Sequence, residues 1–212
     1  MKSSKYLLVA GALLALVASP ALAYEAGTWV LRAGVGVVAP DSDNLVLDPD
    51  TIVEVDDGTS LTLMGTYMFS PNWGFDVLAS WPFNHDIKLG GVKIAETDHL
   101  PPTFSMQYHF LPDGTIQPYV GAGLNYTTFF SEEVTQAAID NEITGISLDD
   151  SFGLALQIGA DWTFGNRWLL NFDLRWIDIE SDLEATIAGA AVDAGTVKID
   201  PWVYSINIGY SF

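Results

Sequence analysis

The last eleven residues alternate without interruption. Trp202, Tyr204, Ile206, Ile208, Tyr210 and Phe212 share one parity; Val203, Ser205, Asn207, Gly209 and Ser211 share the other. Successive side chains of an extended strand point to opposite faces, so one face here is apolar and aromatic while the other is small or polar. The pattern returns upstream. Trp168, Leu170, Phe172, Leu174 and Trp176 oppose Leu169, Asn171, Asp173 and Arg175, and Phe152 to Phe164 oppose Gly153 to Thr163. Phe104, Met106, Tyr108 and Phe110 oppose Thr103, Ser105, Gln107 and His109. Similar segments start at Trp29, Leu61 and Trp73, and one more covers Ile116 to Phe130 with Gly121, Gly123 and Asn125 on the inner parity. A tilted strand crosses a bilayer in about 9–11 residues. Eight such segments predict an all-β fold, an eight-stranded antiparallel transmembrane β-barrel, the smallest single-chain class.

Composition otherwise looks contradictory. The chain carries a formal charge of −19, yet 49% of its residues are hydrophobic and 12% aromatic. A barrel reconciles the two by showing lipid an apolar face and keeping polar groups inside and in loops. Beyond the N-terminus no apolar run reaches the length of about 18 residues that a helical span needs. The N-terminus reads as a cleaved export signal over residues 1–23: Lys2 and Lys5, an apolar core from Tyr6 to Val17, and the small-residue site Ala21-Leu22-Ala23. Cleavage after Ala23 leaves one domain, 24–212, with six basic residues against 27 acidic ones. So acidic a chain repels nucleic acid, whose binding depends on Lys and Arg neutralising phosphates. There are no cysteines to staple it.

Connections alternate in length. Ser70-Pro71-Asn72, Leu111 to Thr115 and Gly165-Asn166 are tight turns. Ala39 to Gly58, Asn84 to Asp98, Ser131 to Asp150 and Ser181 to Thr196 are long and predicted to be outer loops, which places both termini in the periplasm. Ser131 followed by Glu132 and Glu133 predicts a short helix within 131–143. Aromatics gather at strand ends, as interfacial girdles do. Trp202, Tyr204, Tyr210 and the terminal Phe212 resemble the signal read by the barrel assembly machinery.

Eight strands leave an interior about wide enough for side chains alone. Arg32, Asp76, Asp161, Asp173 and Arg175 fall on the inner parity and are expected to form a paired charge network that plugs the lower barrel. Met64 and Leu78, at similar heights on adjacent strands, are the expected floor of an apolar cup. Pro82, Pro101 and Pro102 lack N–H groups near outer strand ends, where a lateral opening would need thin pairing; ordinary strand ends explain them equally well. His85, His99 and His109 have no zinc-ligand spacing. Asp41-Ser42-Asp43-Asn44 lacks the Gly and Glu of a calcium loop. No nucleophile or phosphate-loop motif appears, so neither an enzyme nor a cofactor is expected.

His99-Leu100-Pro101-Pro102-Thr103, the stretch Pro118 to Phe130, Trp176-Ile177-Asp178-Ile179 and Ile199-Asp200-Pro201-Trp202-Val203 resemble the OmpW family, in order along nearly the whole mature chain. The resemblance implies an outer-membrane barrel that passes small hydrophobic molecules through an apolar channel closed towards the periplasm, with sideways exit into lipid. It also implies that Leu78 matches a constriction position, and that a second such position, typically aromatic, is Arg175 here. A guanidinium there would make the cup less greasy or admit amphipathic ligands, anionic ones included. The expected partners are outer-membrane lipids, the assembly machinery and a small hydrophobic ligand. The alternative function is a structural or adhesion barrel with acidic surface loops and no transport.

Overall fold

The computed structural model describes residues 24–41, 44–48 and 51–212. The segment expected to be an export signal, with Ala21 and Ala23, and the acidic positions Asp43 and Asp50 lie outside the described residues.

The barrel wall comprises β1 (Trp29–Ala39), β4 (Gly58–Met68), β5 (Trp73–Ser80), β8 (Thr103–His109), β9 (Ile116–Val134), β11 (Ser151–Phe164), β12 (Trp168–Ile177) and β15 (Trp202–Ser211). Each pairs antiparallel with its neighbours, and β9 pairs with β11 to close the cylinder. Arg32 lies opposite both Met64 and Gly209, and Gln157 opposite both Gly121 and Arg175. The eight-stranded barrel read from the alternation is the fold.

Burial follows parity along the wall strands, as far as Phe130 in β9. In β15 it runs exposed, buried, exposed without a fault until Tyr210. Trp29, Leu63, Phe104, Leu156 and Ile206 face outward, whereas Arg32, Met64, Asp76, Gln107 and Asn171 face inward. Small inward residues let strands bend into so narrow a cylinder: a Cβ on Gly34 would lie 2.0 Å from the Ile206 carbonyl oxygen.

The outer connections differ from the expected loops. They fold into further strands: β2 (Leu45–Asp48), β3 (Thr51–Val55), β6 (Phe83–Leu89), β7 (Val92–Leu100), β10 (Ile143–Leu148), β13 (Glu180–Ile187) and β14 (Ala190–Lys198). The first four continue the wall beyond β9 in the order β7-β6-β3-β2, and the last three form a separate sheet, β10-β13-β14. Here the phase inverts. Phe83, His85 and Ile87 are buried inside while Asn84, Asp86 and Lys88 face out. A polar outer face does not belong in hydrocarbon, so this rim stands above the lipid band.

The helix is shorter than predicted. Ser131 to Val134 extend β9, and only Gln136–Ile139 (α1) is helical, capped by Thr135, whose hydroxyl accepts from Ala138 N at 3.3 Å. Ser131 takes φ +57° within the strand, so the serine and two glutamates that resemble a helix start form a strand bend instead.

Candidate functional site

Inside the barrel two chemically different zones are stacked. The lower zone is charged. Asp161 accepts from Arg32 Nε at 2.9 Å and Nη2 at 2.5 Å, from Asn171 Nδ2 at 2.8 Å and from Tyr24 OH at 2.7 Å. Arg32 Nη1 donates to Thr66 Oγ1 at 2.6 Å, and Thr66 donates on to Asp76 at 2.7 Å. Arg175 bridges Asp76 (Nη2, 2.7 Å) and Asp173 (Nε, 2.7 Å), and Tyr119 OH donates to Asp173 at 2.7 Å. The five charged residues singled out by parity therefore form one connected network, all of them buried. Carboxylates taken out of water persist when cations and hydroxyls satisfy their lone pairs, as here.

Tyr24 and Tyr119 were not singled out from the sequence. Tyr119 shares the inner parity of Gly121 and Asn125, so its role was open to the same reading. Tyr24 had no strand pattern to betray it. It is the first described residue, and its ring packs edge-on against His109 with centroids 5.3 Å apart.

The upper zone is apolar and begins at once. Ile177 lies two residues beyond Arg175 on the same inner face, and Ala155 two residues beyond Gln157 towards the rim. Val38, Phe83, Ala155, Ile177 and Val203 continue into one buried cluster with Val53, Ile87, Leu183, Val197 and Ile199. Within the cluster sits a cavity of about 20 Å³, walled by aliphatic side chains with Phe129, Thr97, His85 and His99. That volume admits about one water-sized molecule, so any larger guest must part the walls.

Met64 and Leu78 do not line this cavity. They are register partners in β4 and β5, both buried, but they lie outside the apolar cluster. Met64 Sδ instead receives Asn207 Nδ2 at 3.6 Å. The cavity is built higher, from connections that the sequence presented as loops. Arg175 belongs to the charged zone beneath it.

Two histidines meet in the cavity wall. Phe83 pairs with His99 and His85 with Thr97, so His85 and His99 are diagonal neighbours on one face. Their rings stack with centroids 4.7 Å apart. Burial holds His85 below the ordinary histidine range despite Asp56, Asp57 and Asp98 nearby, and burial beside His85 holds His99 further below it. Both are neutral at neutral pH.

The three prolines border a break in pairing. The β5–β8 ladder ends at Leu78↔Thr103 and the β6–β7 ladder resumes at Phe83↔His99. Pro82 is exposed, Pro101 buried and Pro102 half-buried. The β9 side stays closed, since Leu100 pairs with Thr128 and Tyr126 N donates to Pro102 O at 3.1 Å. Among the described residues the carboxylates that gather closely enough to share a cation are Asp178, Glu180 and Asp200, on the rim; Lys198 Nζ lies 2.5 Å from Glu180.

The architecture has known counterparts. The model of the OmpW family matches residues 25–212. Outer membrane protein W of Vibrio cholerae serotype O1 is 41% identical over 208 residues, covering 94% of this chain and 95% of that protein. The crystal structure of outer membrane protein OprG from Pseudomonas aeruginosa aligns with a TM-score of 0.80 at 35% identity, covering 90% of this chain and 98% of the other. A Pseudomonas aeruginosa protein named dibenzothiophene metabolism operon protein PahQ is 26% identical over 205 residues, 92% of this chain and 93% of its own. With the barrel closed, the match spanning all of it and relatives of this identity over nearly full length, the chain belongs to the OmpW family of outer-membrane β-barrels.

Proposed function

We propose that this barrel passively carries small hydrophobic or amphipathic molecules across the outer membrane, through the upper cavity and out sideways into the bilayer. One observation supports it above the rest: an apolar cavity sits directly on a floor closed by two arginines and three aspartates. A greasy guest gains by leaving water for the cavity, at about 25 cal/mol per Å² of apolar surface. It gains nothing by descending through ion pairs. The break between Leu78↔Thr103 and Phe83↔His99 lies at the height of the cavity, because His99 lines it, and this supports the lateral route past Pro82, Pro101 and Pro102. The relative PahQ, named for dibenzothiophene metabolism, adds support for a hydrophobic cargo. Arg175 enters this reading as the uppermost cation of the floor.

The test is uptake of naphthalene into vesicles whose outer leaflet is lipopolysaccharide, with and without the protein. Faster entry with protein is the expected result, and equal rates would leave the adhesion barrel standing. Continuing the β5–β8 register sets Ser80 opposite Pro101. A disulfide between Ser80→Cys and Pro101→Cys should slow entry, and its reduction should restore it.

A further inference from the structure

Two imidazole nitrogens stand unused beside the apolar cavity. His85 Nε2 and His99 Nε2 are buried and neither has a hydrogen-bond partner. Buried polar atoms without partners are rare in folded proteins because each costs the water it gave up. The tautomer of His85 follows from its other nitrogen. Nδ1 lies 2.6 Å from the backbone carbonyl oxygen of Asp56, which can only accept, so Nδ1 carries the proton. In the neutral ring Nε2 is then a bare acceptor. Gly58 packs against that edge of the ring, and a Cβ there would lie 2.7 Å from Nε2.

The surroundings define the rest of a guest. His99 stacks between His85 and Phe83, the latter 5.4 Å away centroid to centroid, and Phe129 lies at 5.9 Å; of these rings, His85, His99 and Phe129 line the cavity. The rest of the lining is aliphatic apart from Thr97, and it includes Leu183 and Val197. Asp56, Asp57 and Asp98 act on His85 from just outside, a negative field that disfavours an anion.

We propose that the cavity, once a guest has parted its walls, selects uncharged hydrophobic molecules bearing a single hydroxyl or N–H donor, phenols and alcohols rather than their parent hydrocarbons, with the donor on His85 Nε2 and the apolar body against His99 and Phe129. This deepens the carrier reading and rests on it. A pure hydrocarbon gains the same apolar contact but leaves Nε2 without a partner, and a carboxylate brings charge into an acidic field.

The test compares 1-naphthol, 1-methoxynaphthalene and naphthalene on the full mature barrel in lipid nanodiscs, with partition into protein-free nanodiscs subtracted. One hydrogen bond to an otherwise unpaired buried acceptor predicts about tenfold tighter binding of 1-naphthol than of the other two. It also predicts a shift of the His85 ¹⁵Nε2 resonance with 1-naphthol alone. In His85→Phe the three affinities should converge while heat-modifiable mobility persists. The wild-type comparison decides the matter even if that variant misfolds. Equal wild-type affinities, or 1-methoxynaphthalene matching 1-naphthol, would overturn the hydroxyl preference and leave the carrier intact. Binding of none of the three would overturn both.

Discussion

At the scale of single residues the charged floor is where substitution should cost most. Asp161 alone balances Arg32 through two short bonds while also accepting from Tyr24 and Asn171. Asp161→Ala leaves a buried guanidinium with a distant Asp76 at 3.9 Å and should destabilise the barrel by about 3–5 kcal/mol. Removing both charges, Arg32→Met with Asp161→Leu, should recover most of that loss, because the penalty lies in the unpaired ion more than in the missing pair. Urea unfolding in lipid bilayers measures both. Arg175→Trp restores the aromatic that the family resemblance expects, but it strips Asp76 and Asp173 of their shared cation. It should therefore lower stability. Faster probe entry without such a loss would instead assign Arg175 to the pathway.

At the scale of elements the rim decides how the cavity opens. The β6–β7 hairpin carries His85 and His99, both held below the ordinary histidine range by burial. Above about pH 6.5 the rings are neutral whether the hairpin is closed or open, so they add no pH dependence there. Below it the open form takes up protons that the closed form refuses, and closure weakens as pH falls. Protection of the hairpin amides, measured against their intrinsic exchange rates, should fall as pH drops below about 6.5, and His85→Phe with His99→Phe should flatten that response. The β10-β13-β14 sheet, which has its own ladder apart from the barrel's, adds Leu148, Leu183 and Val197 to the cavity lining. Leu183→Trp on this sheet adds bulk to a cavity of about 20 Å³. It should slow naphthalene entry while leaving the floor network and barrel assembly unchanged.

At the scale of the whole molecule the lipid band sets the rules. Ile206, mid-strand in β15 and 57% exposed, faces where hydrocarbon must lie. Ile206→Arg should cost about 2–4 kcal/mol in a bilayer, whereas Asp86→Arg on the rim should cost less than about 1 kcal/mol. The pair of measurements locates the upper edge of the membrane. Phe212 is tied to the wall too: its N donates to Trp29 O at 2.8 Å, which seats it against the first strand. Phe212→Ser should lower the amount of folded protein reaching the outer membrane, read by fractionation and heat-modifiable mobility.

The alternation determined the wall by itself, because strand geometry gives every residue a side irrespective of its partners. Arg32, Asp76, Asp161, Asp173 and Arg175 could be placed inside on that ground alone, since none can face lipid. The rim escaped because its alternation runs in the opposite phase. Phe83, His85 and Ile87 point inward against Asn84, Asp86 and Lys88, and a pattern sought as lipid-facing read as loop. Which inward groups meet was decided only by register and closure. The Phe83↔His99 pairing brings two histidines 14 residues apart into a stack, and closure of β9 on β11 helps carry Tyr119 to Asp173, 54 residues away. Local geometry fixes a side chain's direction, but its company inside a cylinder depends on how the far ends of the chain are aligned.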